Sequence, residues 1–344
     1  MAGNMITILK IAEEAGVSKS TVSRVLNNQP GVMPETRLRV LEVIDKYHFR
    51  PNIYARNISR RRSNSIGVVF SQDFDFVFKN PFYTELQQNI MKTAKHHDYY
   101  TLLICSEDLN EAAEMIMRNQ VDGLIIVSPR EMEFEKLNNL CKQDIPMVCI
   151  TNSKISVPCC QFYSDSYAGA TLAMQHLINL GHKRIGYVNG PHFLLSSAER
   201  YRAYWDIMTQ RKYAITAGLV QEGNNSIESG YTAAQAIMHE NPDITAFAVA
   251  SDNMAIGVEN AVREAGLKIP GDISVIGFDN IAMSEQITPP LTTIDQQTAA
   301  RARLSVEKLL SLIEGERVGS DDYYFDLPPF LVVRGSTGPV CRDI

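Results

Sequence analysis

From residue 66 onward, short apolar runs alternate with stretches that have the spacing of amphipathic helices. Strands that are apolar throughout are typical of parallel sheets covered by helices on both faces. The pattern restarts with a helix near 167–180, which predicts two doubly wound lobes. Ligands of such folds bind at the carboxyl ends of the strands, where two facing lobes form a cleft. The apolar runs are IGVVF (66–70), TLLIC (101–105), GLIIV (123–127), PMVCI (146–150), RIGYV (184–188), AFAVA (246–250) and ISVIGF (273–278).

The first sixty residues follow a different pattern, that of two short helices joined by a tight turn. Thr7 is predicted to cap the first helix, Gly16 to form the turn and Ser18 to cap the second helix. Apolar residues at i, i+3 and i+4 face inward, so the polar side of the second helix faces solvent. This is helix-turn-helix geometry, with a cationic face of the kind that reads a major groove. The outward residues are Lys19, Ser20, Ser23 and Arg24.

Charge is divided unevenly along the chain. Residues 1–63 hold eleven Lys and Arg against five Asp and Glu, whereas the remainder holds 22 against 34. A small basic module followed by a large acidic body indicates that the module alone contacts phosphates and that the body has another role.

Several classes of function lack their motifs. No strand is followed by the glycine-rich turn of dinucleotide-binding enzymes, and P-loop and GxSxG motifs are absent. The six cysteines fit no zinc spacing. We therefore expect no enzymatic activity, no catalytic residues, no cofactor and no metal. No run approaches the ~20 apolar residues that cross a bilayer, and the N-terminus lacks a signal-peptide core, so a cytoplasmic location without membrane contact is expected.

Five segments, in this order, resemble the lactose-repressor (LacI/GalR) family of bacterial transcription regulators. They are AEEAGVSKSTVSRVLN (12–27), RPNIYARNI (50–58), HLINLGHKRIGYVNGP (176–191), SDNMAIGV (251–258) and DISVIGFDNIAMSEQITPPLTTI (272–294). The resemblance implies an N-terminal all-α helix-turn-helix headpiece and an α/β periplasmic-binding-protein-like body of two doubly wound parallel-sheet lobes. The expected bounds are 1–49 for the headpiece, 50–62 for a hinge helix and linker, 63–160 with 291–319 for the N-terminal lobe, and 161–290 with 320–337 for the C-terminal lobe.

The resemblance also implies which residues contact DNA. Lys19 and Ser20 are expected to meet base edges, and Arg24 suits a bidentate contact with guanine. A hinge helix at 52–58 is expected to fold when two copies meet in a widened minor groove, with Ile58 as the wedge where the family usually has leucine. The other expected DNA-binding residues are Thr7, Ser18, Thr21, Ser23, Asn27, Thr36, Asn52, Ala55 and Arg56.

In the body, the resemblance implies an effector site between the lobes. Arg200 is expected to clamp the effector and Asp279 to accept hydrogen bonds from it; for Arg200 a surface salt bridge is the alternative. Asp165 serves equally well as a helix cap, and Phe82 as a core residue. The aromatic segment QDFDFVFKNPFY (72–83) resembles that of members responding to maltose or related glucosides. The expected effector-binding residues are Phe82, Tyr83, Asp165, Arg200, Asn225, Ser251 and Asp279.

The sequence therefore predicts a homodimeric, sequence-specific DNA-binding regulator, with repression as its expected action on a pseudo-palindromic operator. A small molecule, expected to be a mono- or oligosaccharide, would change its affinity for double-stranded DNA. An alternative keeps the DNA function and replaces the small molecule with a protein co-regulator, such as a phosphorylated carrier protein.

Overall fold

The computed structural model describes residues 6–26, 29–47, 49, 62–105, 109–216, 218–317, 319 and 323–340. The chain divides into two compact units, 1–63 and 64–344. The predicted hinge at 50–62 lies outside the described residues except for Arg62. No helix within the described ranges is long and apolar enough to cross a membrane.

Three helices form the headpiece: α1 (Ile8–Ala15), α2 (Lys19–Leu26) and α3 (Pro34–Lys46). Gly16 ends α1 with a φ of 63°, in the left-handed region that a residue without Cβ adopts at little cost. The helices pack on a small apolar core whose buried members are Ile11, Ala12, Ala15, Val22, Val25 and Val40. The predicted helix-turn-helix therefore has the core that its spacing indicated.

The body alternates strands with helices. In chain order its elements are β1 (Ser65–Phe70), α4 (Phe74–Lys79), α5 (Pro81–His96), β2 (Tyr100–Cys105), α6 (Leu109–Met117), β3 (Gly123–Val127), α7 (Phe134–Cys141), β4 (Met147–Thr151), β5 (Cys160–Tyr163), α8 (Ser166–Asn179), β6 (Ile185–Asn189), α9 (Leu195–Gln210), β7 (Val220–Glu222), α10 (Ile227–Glu240), β8 (Ala246–Val249), α11 (Asp252–Glu264), β9 (Ser274–Ile276), β10 (Thr293–Asp295), α12 (Thr298–Ile313), β11 (Tyr324–Asp326) and β12 (Phe330–Val332); short 3₁₀ turns span Glu131–Glu133 and Ala282–Glu285.

The first lobe is built on a six-stranded parallel sheet in the order β11-β5-β4-β3-β1-β2. Alternate residues of one strand enter different cores: Val68 and Phe70 lie in one apolar cluster, and Val69 lies in the other. Both faces are therefore covered by helices, which is why the strands are apolar throughout.

The second lobe is built on a four-stranded parallel sheet in the order β7-β6-β8-β9. Bridges from Ile276 to Thr292 and from Asp279 to Asp295 connect this sheet to the β10 segment, which pairs antiparallel with β12. The predicted fold class, a helical headpiece with an α/β body of parallel sheets, is confirmed.

The predicted lobe boundaries need correction at the crossovers. β5 and β11 pair with each other in the first sheet, although residues 161–290 and 320–337 were assigned to the second lobe. β10 bridges to the second lobe, although 291–319 was assigned to the first. These three strands have three or four residues each, and β11 is a partly exposed edge strand, so none of them has a long apolar run that marks its sheet. Strand pairing, which is non-local, decides the assignment.

Candidate functional site

The exposed side of α2 carries the predicted base-reading residues. Lys19, Ser20 and Arg24 are exposed, while Val22 and Val25 on the opposite side are buried. Burial of those two valines fixes the rotation of α2, so that its polar face is presented to solvent. Ser23 is half-buried at the edge of this face.

Hydroxyl groups surround the start of α2. The Ser18 hydroxyl accepts a hydrogen bond from the Thr21 amide at 3.1 Å and lies 2.7 Å from the Ser20 hydroxyl. Thr7 caps α1, where its hydroxyl accepts from the Lys10 amide at 3.4 Å. Thr36 is half-buried in the first turn of α3. The predicted positions Asn27, Asn52, Ala55, Arg56 and Ile58 lie outside the described residues.

Arg200, on α9 of the second lobe, is buried between polar and aromatic groups. Its Nη1 donates to the Ala250 carbonyl oxygen at 2.5 Å, and its Nε donates to the Ser166 hydroxyl at 3.3 Å. The guanidinium lies 3.7 Å from the centroid of the Phe278 ring and 3.7 Å from Asp279 Oδ1. The alternative of a surface salt bridge does not describe this residue, because the side chain is 8% exposed.

Asp279 follows β9 and is buried beside Arg200. Its φ of 123° is an unusual conformation for a residue with a Cβ and stores local strain of the kind found at ligand sites. Its Oδ1 accepts from Gln296 Nε2 at 2.6 Å. Burial raises the pKa of this carboxyl to about 8, and the nearby Arg200 opposes that rise.

A second buried arginine, Arg301 on α12, completes the cluster from the first lobe. Its Nη1 donates to the Thr151 carbonyl oxygen at 3.0 Å and to Asn152 Oδ1 at 3.1 Å, and its Nη2 donates to Gln296 Oε1 at 3.4 Å. Gln296 therefore connects Arg301 to Asp279. Burial, followed by the charge of Arg200, lowers the pKa of Arg301 to about 10. The four side chains form a continuous chain across the two lobes.

The sequence interpretation missed Arg301, although a signal was present. The buried positions of α12 recur at helical spacing, and a charged residue stands among them. A Lys or Arg is almost never fully buried unless it is paired. An arginine at an otherwise apolar position of the helix therefore indicates a polar partner or a ligand site. Gln296 and Ser166 were also missed, because their roles depend on partners far away in sequence.

Aromatic side chains line the first-lobe side of the cluster. Tyr83 is buried, makes an edge contact with Phe70 at 5.6 Å between ring centroids, and has its pKa raised to about 12 by burial. Phe82 packs in the first-lobe core, and Arg301 lies 5.7 Å from its ring. Phe76, on α4, meets Phe193 of the second lobe with a centroid distance of 5.7 Å.

The remaining predicted effector residues have other roles in the structure. Asp165 caps α8 by accepting from the Ala168 amide at 2.9 Å, and the next residue, Ser166, contacts Arg200. Ser251 caps α11, where its hydroxyl accepts from the Met254 amide at 3.4 Å. Asn225 has a φ of 65°, and its carbonyl oxygen accepts from Asn253 Nδ2 at 2.7 Å.

Several buried polar atoms at the carboxyl ends of strands have no hydrogen-bond partner among the described residues. They come from both sheets, and ligands of doubly wound folds bind at the carboxyl ends of such strands. Each such atom costs about 1–3 kcal/mol when it is left without a partner. These atoms are Ser71 Oγ after β1, Thr151 Oγ1 at the end of β4, Ser164 Oγ after β5, and Tyr187 Oη and Asn189 Oδ1 on β6.

Cavities of different size lie between the lobes. The cavity beside Thr151 and Asn152 measures about 20 Å³, room for roughly one water molecule. A cavity of about 250 Å³ is lined by Phe76 of the first lobe and Asn225 of the second. A third, of about 350 Å³, includes Asp279. Ligand pockets typically measure about 300–1,000 Å³. The second cavity is slightly smaller than this range, and the third lies within it.

Comparison with known proteins gives the family. Residues 7–52 match the model of bacterial regulatory proteins of the lacI family, and residues 174–337 match that of a periplasmic binding protein-like domain. Catabolite control protein A of Priestia megaterium is 31% identical over 338 residues, which cover 96% of this chain and 99% of that protein. The HTH-type transcriptional repressor PurR of Histophilus somni (strain 129Pt) is also 31% identical, over 96% of this chain and 99% of its own.

Solved structures agree with this relationship. The Lac repressor dimer bound to operator and the anti-inducer ONPF matches with a TM-score of 0.84 and 28% identity, over 97% of this chain and 99% of that one. The complex of the transcriptional regulator CelR with cellobiose matches with a TM-score of 0.70 and 26% identity, over 96% and 99%. The chain therefore belongs to the LacI family of bacterial regulatory proteins and is a DNA-binding transcriptional regulator of that family.

Proposed function

We propose that this regulator is a homodimeric repressor whose affinity for a pseudo-palindromic operator is changed by a polar small molecule, a saccharide, bound between the lobes of the body. The exposed face of α2, with Lys19, Ser20 and Arg24, reads bases in the major groove. The effector contacts Arg200 and Asp279, with Tyr83 and Phe76 on the opposite side.

One observation carries the effector part of the proposal. Hydroxyl and amide oxygens without a hydrogen-bond partner lie near the strand ends of both lobes, and Asp279, which follows β9, lies beside the buried Arg200. A ligand with many hydroxyl groups supplies donors and acceptors to such atoms, and aromatic side chains offer faces for its ring. An apolar ligand would leave the same atoms unsatisfied.

The floor of the cleft is the small cavity beside Thr151 and Asn152, which holds about one water. Ligand binding at this floor therefore requires the lobes to move apart. The chain crosses between the lobes at three places, which supply the hinge. A change in DNA affinity then requires that the ligand bind one lobe arrangement better than the other, typically by about 1–3 kcal/mol.

The test is fluorescence anisotropy on labelled DNA from the region upstream of the protein's own gene, at fixed low salt. We expect sequence-specific binding that changes when a saccharide identified by thermal shift is added, because a ligand of the folded body raises its Tm by mass action. Absence of sequence-specific binding, with and without ligand, would contradict the proposal.

A protein co-regulator in place of the small molecule is the second candidate. The narrow floor of the cleft favours it, since about 20 Å³ leaves no room for a sugar ring without lobe movement. In that case no saccharide raises the Tm of the purified regulator. Its DNA affinity then changes only when a phosphorylated carrier protein is added.

A further inference from the structure

We propose that the effector carries an oxyanion, a carboxylate or a phosphate, and that Arg301 is the residue that selects it. This inference rests on the proposed function, because it names the chemical class of ligand for the same cleft. Arg301 is a buried cation between the lobes, and it was not among the expected effector residues.

Arg301 is fully buried, and its partners are all neutral. They are the Thr151 carbonyl oxygen and the side-chain oxygens of Asn152 and Gln296. Within the described part of the chain, no carboxylate forms an ion pair with it, and its Nε has no hydrogen-bond partner. A buried guanidinium normally has a carboxylate or a phosphate opposite it.

The nearby carboxylates do not supply that partner. Asp279 lies 3.7 Å from Arg200 and is hydrogen-bonded to Gln296, so it interacts with Arg301 through a neutral amide. Asp252 is also buried, but its oxygens accept from the Thr293 hydroxyl and the Ile281 amide. Asp295, whose charge also acts on Arg301, accepts from Asn280 Nδ2 and the Gln297 amide, and none of these carboxylates forms an ion pair with Arg301 among the described residues.

Asp279 is also poorly placed to neutralise a second cation. Burial raises the pKa of this carboxyl, which disfavours its charged form. Arg301 thus has only neutral hydrogen-bond partners among the described residues, and its Nε has none. An oxyanion of the ligand would supply the missing negative charge, and the planar fork of a guanidinium matches carboxylate and phosphate oxygens in bidentate geometry.

The location of Arg301 fits a role in ligand selection. Its partners Thr151 and Asn152 line the cavity at the floor of the cleft, opposite Phe193 and Leu194 of the second lobe. The unpartnered Thr151 hydroxyl belongs to the same strand end. Here the oxyanion would lie at the floor, between the lobes, with the hydroxyl-bearing ring toward Phe76 and Asn225.

The experiment compares matched ligands by isothermal titration calorimetry on the full chain, at equal ionic strength. Two series, one built on glucose and one on galactose, each contain the neutral sugar, its uronate and its 6-phosphate. We expect a uronate or a 6-phosphate to bind more tightly than the neutral sugar with the same ring. The stronger of the two distinguishes a carboxylate from a phosphate.

Three variants assign the preference to Arg301. Arg301→Leu is expected to weaken binding of the anionic sugar about 30-fold or more, without a comparable loss for the neutral sugar. Arg301→Lys keeps the charge and is expected to retain part of the preference. Arg303→Leu is the matched control, because Arg303 lies on the same helix, is exposed and pairs with Glu307; its ligand preference should equal that of the wild type.

A structural role for Arg301 predicts a different result. Arg301→Leu removes three buried hydrogen bonds and should lower the Tm of the ligand-free protein in either case. A purely structural role would weaken binding of the anionic and the neutral sugar equally, whereas selection by Arg301 changes the ratio of the two affinities. Tighter binding of the neutral sugars, or an unchanged preference in Arg301→Leu, would overturn the inference and leave the proposed function standing. Binding of none of the six sugars, alongside intact DNA binding, would overturn the inference together with the saccharide part of the proposed function.

Discussion

The headpiece and the cleft of the body place the charged residues of the proposed sites in opposite environments. Lys19 and Arg24 are exposed on α2, and their removal takes nothing from the apolar core behind them. Arg200, Asp279 and Arg301 are buried, Gln296 connects Arg301 to Asp279, and burial shifts the pKa of all three. Exposed charges can evolve for recognition alone, whereas buried charges must satisfy folding and binding together.

This contrast predicts its largest effect for Arg200→Ala. The substitution leaves Asp279 buried without its nearest cation and removes hydrogen bonds to Ala250 and Ser166. At a pH above 8, where the Asp279 carboxyl is charged, we expect the free energy of unfolding of the body to fall by about 3–5 kcal/mol. Urea denaturation monitored by circular dichroism measures it.

Arg202→Ala is the matched control for that experiment. Arg202 is on the same helix, but it is exposed and pairs with Glu199 in the adjacent turn. Such surface pairs contribute about 0–1 kcal/mol. Equal losses in the two variants would contradict the contrast between buried and exposed charges.

The second prediction concerns the exposed face of α2. Arg24→Ala is expected to reduce the affinity for specific DNA by about 1–3 kcal/mol, because one base contact is lost, and to leave the Tm unchanged. Anisotropy titrations and thermal unfolding of the full chain measure the two quantities. Lys10→Ala removes the same charge from α1, where Lys10 pairs with Glu13, and serves as control. A drop in Tm for Arg24→Ala would show that this exposed charge also contributes to folding, contrary to the contrast with the buried charges.

The third prediction concerns how the stability of the protein changes with pH through the buried carboxyl of Asp279. Because burial raises the folded pKa of Asp279 to about 8, the folded state retains a proton that the unfolded state releases near pH 4. Stability from this group is therefore present at low pH and is lost as the pH rises toward 8. Asp279→Asn should reduce the fall in stability between pH 5 and 8, by at most about 1.4 kcal/mol per pH unit.

Arg200, Arg301 and Asp252 remain in both proteins. Because burial raises the pKa of Asp252 to about 6, within the same window, the difference between wild type and variant reports Asp279 together with its effect on Asp252. The exposed Asp206→Asn is the control substitution. Parallel stability profiles for wild type and Asp279→Asn, measured by urea denaturation at each pH, would show that this carboxyl does not titrate in the window.

The smallest predicted effect concerns Ser18, which caps α2. Ser18→Ala should weaken the cap by roughly 1 kcal/mol, whereas Ser18→Asp should keep it, because a carboxylate also accepts from the Thr21 amide. Both variants are expected to bind DNA more weakly, since the aspartate repels phosphates. Hydrogen exchange of the Thr21 amide measures the cap, because this amide donates to the Ser18 side chain and exchanges faster when the cap is lost. Wild-type DNA affinity in Ser18→Asp would argue against a phosphate contact at this position.

The sequence predicted the features that repeat locally. Apolar runs identified most strands of both sheets, and the spacing of Val22 and Val25 identified the buried side of α2. The motif that ends in Asp279 and the position of Arg200 also led to the buried pair. In each case, local spacing or a short motif determines the environment of the residue.

Features that depend on distant partners were not predictable in this way. β11 pairs with β5, although more than half of the body's sequence lies between them. The short, partly exposed sequence of β11 has no periodicity that would identify this partner. Arg301 depends on residues near position 151 and on Gln296. Ser166, rather than the neighbouring Asp165, contacts Arg200, because the aspartate is used as the cap of α8.

The most direct test of the central claim measures the coupling between the two regions. Wild type and Arg200→Ala are titrated onto the same upstream DNA by anisotropy, with and without a saccharide that raises the Tm of the wild type. We expect the Kd of the wild type for DNA to change by about 5–150-fold with ligand. Arg200→Ala should bind DNA with the unliganded affinity and not respond. An equal response in Arg200→Ala, or an unchanged wild-type Kd, would contradict control of the exposed reading face by the buried charges of the cleft.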